Sequence, residues 1–322
     1  MNLASLRYLL ALNEHRHFAR AAAACHITQP ALSNALRALE QELGAPIVKR
    51  GRSFAGLTPE GERVLAAAQR MLHEQGLLQQ DLASTAAHPQ GALHIGVVPT
   101  AVPIAARFVA MLQAAHPGIS PVVRSLNSQA IEEGLEGLSL DLALGFTERL
   151  TGKTGAGRRF AVLPQYEEHY FLVRRVAVPA TGMAGMTGAA GLRRGPPLGW
   201  AEAAQQPLCL LTPDMHNRSV VDAAFAEAGA SVKPVIQTNS ILTLAISVLA
   251  GDVCSVLPGA LVAAAPSPDE LEALPLVAPE RRTPVGFMYL AEVRASRALQ
   301  AALQLAQDPA WLAHAARHSG AL

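Results

Sequence analysis

The chain has 322 residues, 50% of them apolar and 16% charged, with a net charge of +1. That length accommodates two or three domains, and the near-neutral balance excludes binding to nucleic acid through the whole surface, so any such contact must come from a local basic segment. Three cysteines, Cys25, Cys209 and Cys254, stand far apart and are odd in number, which argues against a disulfide framework and for a reducing cytoplasm.

The segment Phe18 to Leu43, FARAAAACHITQPALSNALRALEQEL, reads as two short helices joined by a tight turn. Thr28 fits an N-cap for the second, because its hydroxyl can accept from an orphan amide, and Pro30 has no intrahelical N–H to lose. Leu32, Leu36, Leu39 and Leu43 recur at spacings of four, three and four and predict one buried stripe. Gln29, Ser33, Asn34 and Arg37 fall off that stripe. Side chains of this kind hydrogen-bond base edges or neighbouring phosphates when a helix lies in the major groove. The same pattern also fits an ordinary helical hairpin with a solvated face. Gly44 stands where a left-handed residue ends a helix. Pro46 to Arg52 then reads as a strand entering a basic turn, the form of a wing, and Leu57-Thr58-Pro59 as a return strand and a fresh helix start. Residues 1–52 hold seven Lys/Arg against three acids, a local +4, on the segment where phosphate contacts would be needed.

This stretch resembles the N-terminal domain of LysR-type bacterial transcriptional regulators. The matching residues are Leu6, Leu9 and Leu10, then His17 to Ala22, Ile27 to Ser33, Leu39 to Gly44, Lys49-Arg50 and Leu57 to Gly61. His17 and Ile47-Val48 depart from the family's usual small residue and Leu-Phe pair, and neither alters the polar face. The resemblance implies a bacterial transcriptional regulator that binds palindromic promoter sites and answers to a small-molecule effector. Its expected organisation is multi-domain α+β: a winged helix-turn-helix DNA-binding domain over 1–58, a long linker and dimerisation helix with hinge over 59–89, and an effector domain over 90–322. That last domain is expected to be a two-lobe α/β structure like a periplasmic binding protein, with lobe I about 91–162 and 271–305 and lobe II about 163–270. Gln29, Pro30, Ser33, Asn34 and Arg37, opened by Thr28, are expected to meet bases and adjacent phosphates. Arg20, Lys49, Arg50 and Arg52 are expected to meet the DNA backbone.

From Thr58 to about His88 one long helix is predicted, with Val64, Ala68, Met71, Gln75, Leu78 and Leu82 as a heptad seam. A second copy of the chain is the expected partner for that seam, giving a homodimer or homotetramer; packing on the chain's own C-terminal part is the alternative. Beyond it, strands alternate with helices, which implies a parallel or mixed sheet with helices on its faces. Strands are expected at 93–98, 120–126, 140–146, 170–174, 207–211, 232–237, 253–257 and 284–291. Helices are expected at 102–115, 128–136, 220–228, 241–250 and 295–306. The Gly/Ala/Pro-rich segment 176–199 reads as an enlarged loop, with Arg193-Arg194 a solvated turn.

In such sheets ligands bind beyond the carboxyl ends of strands. That rule nominates Thr100, Asn127, Ser128, Phe146 and Thr147 from the first lobe, and His216, Arg218 and Asn239 from the second, with Asn217, Ser219, Thr238 and Ser240 beside them. Asn127, Ser219 and Ser240 fit equally well as caps of their own helices. A guanidinium at a helix N-terminus opposes the macrodipole, so Arg218 suggests an anionic ligand, a small carboxylate or oxyanion. A thiol-based, oxidant-responsive regulator of the same family is the alternative, through Cys209 or Cys254, although both sit in apolar strands with no neighbouring base. His314 and His318 lack a third metal ligand, and no cofactor is expected. No catalytic constellation or nucleotide-binding loop is present, which points away from an enzyme. No run approaches the roughly 20 apolar residues needed to cross a bilayer, and no signal peptide is read, so a cytoplasmic location and no membrane partner are expected. Promoter DNA, the effector, a second copy and RNA polymerase are the expected partners.

Overall fold

The computed structural model describes residues 2–51, 54–85, 88–148, 159–176, 193–265 and 268–320. The chain divides into two units, Met1–Thr85 and Ala86–Leu322.

In the first unit three helices, α1 (Leu3–His15), α2 (Phe18–Ala24) and α3 (Gln29–Leu43), precede a two-stranded wing, β1 (Val48–Arg50) and β2 (Phe54–Leu57), and the long α4 (Pro59–Ala83). Each helix start is fixed locally. Asn2 caps α1 at the Ala4 amide (2.8 Å), His17 Nδ1 accepts from Ala19 (3.2 Å), and Thr28 Oγ1 accepts from Ala31 (3.3 Å). Gly44, at φ +67°, ends α3 in the left-handed region. Leu32, Leu36 and Leu39 are buried against Leu6, Leu9 and Leu12, whereas Leu43, expected in the same stripe, is exposed beside the terminal glycine. Thr58 joins wing to helix: its hydroxyl donates to the Pro46 carbonyl (2.6 Å) and accepts from the Gly61 amide (2.9 Å). A Cβ at Gly61 would lie 2.0 Å from the Ile47 carbonyl oxygen, so only glycine allows that approach.

Helix α4 stops at Ala83, short of His88, where Ser84 turns to extended backbone. Its first half closes the core through Leu65 and Ala68. Further along, Met71, Leu78 and Leu82 are exposed, the last two by 58% and 80%.

The second unit opens with β3 (Gly91–Val97), α5 (Val102–Ala115), β4 (Ile119–Ser125), α6 (Ser128–Glu136) and β5 (Leu142–Phe146). There follow β6 (Phe160–Arg175), β7 (Arg193–Arg194), β8 (Leu198–Gly199), α7 (Trp200–Ala203), β9 (Cys209–Leu211), α8 (His216–Glu227), β10 (Ile236–Thr238), α9 (Ile241–Ala250), β11 (Ser255–Pro258) and α10 (Gly259–Val262). The chain ends with β12 (Leu271–Val277), β13 (Arg282–Leu290), α11 (Arg297–Ala306) and α12 (Pro309–His318). The order β4-β3-β5-β13-β6 forms the lobe I sheet, with β3, β4 and β5 parallel and β13 antiparallel to β5 and β6. Its core sets Phe108 against Phe287 and Trp311, with ring centroids 4.5 and 5.0 Å apart.

Strand β6 serves both lobes. Phe160 to His169 pair with β13, and from Tyr170 onward the same strand pairs with β11 and β12. In lobe II, Tyr170 and Leu172 face a core with Trp200, Val221 and Phe225, while Phe171 and Val173 face one with Leu244, Val248 and Leu261. Three expectations change here. The strand expected at 170–174 begins ten residues earlier, and the chain re-enters lobe I at Arg282 rather than near 271, because β12 pairs with the lobe II half of β6. Arg193-Arg194 is not a turn but a strand, paired in parallel with Glu272-Ala273; residues 177–192 of the expected loop lie outside the described residues.

Candidate DNA-reading face and interlobe site

Thr28, Gln29, Pro30, Asn34 and Arg37 are exposed along the front of α3, and Ser33 is half-buried among them. Arg37 Nη1 donates to Asn34 Oδ1 (3.1 Å), which holds the two side chains together on that face. Arg20 and Lys49 are exposed as well; Arg52 and the Arg50 side chain lie outside the described residues. The wing is tied to α3 by Glu40, whose Oε1 accepts from the Ile47 and Val48 amides (3.0 and 3.1 Å).

In the second unit, five of the eight nominated residues line one narrow cavity between the lobes. Thr100, Asn127, Ser128 and Phe146 come from the strand ends of lobe I, and His216 from the start of α8, together with Met215 and Asn217. The cavity has room for about one water molecule. Asn127 also caps α6, accepting from the Ala130 amide (2.8 Å). The His216 ring lies 4.9 Å from the Phe146 ring. Thr100 Oγ1, Ser128 Oγ and Asn217 Nδ2 are buried with no hydrogen-bond partner in the protein.

The other three nominees are elsewhere. Thr147 is buried and donates to the Pro284 carbonyl, anchoring β5 to β13. Arg218 does not reach the cavity. Its guanidinium is buried and donates to the Leu211 carbonyl (2.7 Å), Asp222 (2.8 Å) and Gln237 (3.2 Å), so its counter-charge comes from its own helix four residues on. Asn239 lines a different, apolar cavity.

Behind Thr100 lies a group that the strand reading missed. Glu168 is fully buried on β6 where the strand passes between lobes, opposite Thr283, with Tyr166 and Tyr170 two residues to either side. Burial pushes its carboxyl up to about 8, with the Thr100 hydroxyl partly opposing it. The group is therefore neutral at pH 7. Burial and the Glu168 carboxyl together hold the Tyr166 phenol well above its usual range. Tyr170 OH pairs with the Thr283 hydroxyl at 3.0 Å. The signal was available in the sequence: Tyr166, Glu168 and Tyr170 alternate at a period of two, which puts a carboxyl on the inward face of a strand.

A winged helix-turn-helix unit followed by a two-lobe α/β unit, with buried hydroxyl and amide groups at an interlobe cavity, defines a class, the ligand-responsive DNA-binding regulators. Residues 3–62 match the family model described as bacterial regulatory helix-turn-helix protein, lysR family, and residues 86–310 match the LysR substrate binding domain. The chain belongs to the LysR family of transcriptional regulators. It is 29% identical over 293 residues to the DNA-binding transcriptional dual regulator OxyR of Escherichia coli K12, covering 90% of this chain and 89% of that protein. It is 37% identical over 144 residues to a probable hydrogen peroxide-inducible genes activator of Streptomyces viridosporus, 44% of this chain and 46% of that one. Among solved structures, a full-length OxyR variant from Pseudomonas aeruginosa, with one cysteine replaced by aspartate, superposes with a TM-score of 0.66 at 24% identity, covering 94% of this chain and 97% of that one. CbnR in complex with its target DNA superposes with a TM-score of 0.63 at 18% identity, covering 98% of this chain and all of that one. Among the described residues no helix is long and apolar enough to cross a membrane.

Proposed function

We propose that this regulator reads palindromic promoter sites with the front of α3 and is controlled by a small anion, a carboxylate or inorganic oxyanion, held between the lobes. Gln29, Pro30, Ser33, Asn34 and Arg37, opened by Thr28, meet bases and neighbouring phosphates, and Arg20, Lys49, Arg50 and Arg52 hold the DNA backbone. The exposed Leu78 and Leu82 of α4 join two copies, so that one reading helix per chain covers each half-site, in a dimer or a pair of dimers. The protein works in the cytoplasm and acts on RNA polymerase at the promoter.

The observation that carries the ligand reading is the meeting of buried, unpartnered hydroxyl and amide groups from both lobes, Thr100 and Ser128 on one side and Asn217 on the other. Such groups lose free energy until something polar pairs with them. The first turn of α6 adds amide donors beside Ser128. Glu168, neutral at pH 7, does not repel an anion there. A ligand larger than water requires the lobes to part where β6 crosses between them. It therefore prefers one arrangement over another, which is the condition for control.

A second reading, response to peroxide, is favoured by the names of the relatives. Here it would have to operate without a thiol in the cavity, since Cys209 and Cys254 are buried in lobe II and Cys25 lies in the first unit. One experiment separates the two: thermal unfolding of the full-length chain with acetate, benzoate, phosphate, sulfate or hydrogen peroxide. At a hundredfold excess over Kd a ligand adds about 2.7 kcal/mol. An anion that raises Tm in the wild type and not in Thr100→Val or Ser128→Ala supports the anion reading. A shift with peroxide alone favours the second, and a shift untouched by both substitutions removes the cavity from the account.

A further inference from the structure

A second cavity of the second unit is larger than the one at Thr100 and Ser128. It has a volume of about 450 Å³ and lies between the start of α5, with Val102 and Pro103, and the lobe II wall formed by Val173, Ala245, Val248 and Leu261. The two cavities share Pro99 and otherwise differ in every lining residue. None of the described residues that line the large one is charged, and its polar groups are Ser125, at the end of β4, and Asn239 and Ser240, just past the end of β10. Apolar walls of this extent are costly to leave in water, and the volume falls in the range of about 300–1,000 Å³ typical of sites for small molecules.

We infer that this cavity is a second ligand site, for an uncharged amphiphile with an apolar body and one hydrogen-bonding head. The apolar body lies on Val173, Val248 and Leu261, and the head meets Ser125, Asn239 and Ser240. An ionised head is disfavoured because no lining side chain offers it a counter-charge.

A second copy of the chain is a poorer occupant, for a reason written in α9. Ile241, Ala245 and Val248 follow one helical stripe into the cavity, Leu242 stands at its rim, 64% exposed, and Ile246, 49% exposed, lies outside it. Ile246 and the solvent side of Leu242 can meet a partner while the stripe of Ile241, Ala245 and Val248 stays free for a ligand. The floor residues Val173 and Val248 are each only 1% exposed, recessed beyond the reach of a flat protein surface. Because both lobes contribute walls, occupancy here also biases their arrangement, independently of the smaller cavity.

The test uses the full-length chain and the neutral dye N-phenyl-1-naphthylamine, whose fluorescence rises in apolar surroundings. The expected result is saturable binding of one dye per chain, displaced by 1-octanol and at least tenfold less well by octanoate at pH 8. Filling the cavity from either lobe, with Ala245→Trp or Val102→Trp, should weaken the dye at least tenfold, while Ser128→Ala in the smaller cavity leaves it unchanged. Equal displacement by octanoate overturns the uncharged head, a readout that needs no variant. No saturable binding, or binding lost in Ile246→Gln outside the cavity but kept in the filled variants, overturns the site. The dye result is independent of any anion effect at Ser128, so failure of one reading leaves the other standing.

Discussion

The Cys209 amide donates to the Cys254 carbonyl at 2.8 Å, yet the two thiols lie on opposite faces of the lobe II sheet. Cys209 packs with Phe171 and Leu244, and Cys254 with Trp200 and Val221. Two adjacent cysteines facing opposite ways cannot be bridged without moving the backbone. Burial raises both thiols above their ordinary range, with a hydrogen bond to Ser247 for Cys209 and the Arg174 charge for Cys254 only partly opposing it. The reactive thiolate is therefore scarce at both. The native chain treated with hydrogen peroxide should still titrate three free thiols after denaturation, and the mass should show no loss of two hydrogens. A Cys209–Cys254 bridge in the peptide map would restore the thiol-based alternative.

Glu168 makes stability depend on pH. The folded carboxyl titrates at about 8, whereas an unfolded glutamate titrates near 4.3. Between those values the folded chain holds one more proton than the unfolded chain, so this group's contribution is fully present below about pH 4 and declines as pH rises, by up to roughly 1.4 kcal/mol per pH unit. The decline levels off above pH 8. Glu168→Gln keeps the neutral shape and removes the proton exchange. Its Tm relative to wild type should rise steadily from pH 5 to pH 8; a constant difference across that range would mean that Glu168 is already ionised in the folded chain.

Lys49 and Ser33 should fail differently on DNA. Lys49 stands on the wing and is exposed, so Lys49→Ala should weaken specific and random duplexes alike and lower the salt slope by about 1. Ser33 sits in the proposed reading face, and Ser33→Ala should cost about 1–3 kcal/mol on the operator with little change on random DNA. Equal losses on both duplexes for both variants, read by fluorescence anisotropy, would remove that division of labour.

Leu78 and Leu82 leave an apolar stripe open on α4. Leu78→Asn with Leu82→Asn should shift sedimentation toward monomer at micromolar protein, with the thermal melt of the first unit unchanged, because its core rests on Leu65 and Ala68 instead. An unaltered dimer would assign self-association to another surface.

The features that the sequence made legible are those decided by neighbours in the chain. The Thr28 cap, the Gly44 stop and the Leu32, Leu36 and Leu39 stripe all act within one or two turns. Five cavity residues followed from the rule that ligands meet strand ends. Strand β6 was half lost because only 170–174 was read as strand, while residues 160–169 gain their strand form by pairing with β13 more than a hundred residues away. The lobe II strand Leu271–Val277 was missed for a related reason: its partners Phe171 to Arg175 and Arg193-Arg194 are distant in sequence. Arg218 misled because a lone cation at a helix N-terminus suggests an anion. Asp222 at i+4 was visible in the sequence, but the Leu211 carbonyl that completes its shell comes only with the fold.

The most direct test of regulation is operator affinity measured with and without the anion found in the thermal screen, in wild type and in Ser128→Ala. A cavity coupled to the reading helix predicts a change of roughly 5- to 150-fold in the wild type, and the operator should change the anion's affinity by the same factor. The Ser128→Ala variant should bind operator normally and lose the change. An anion that binds at the cavity and leaves operator affinity untouched would contradict the account.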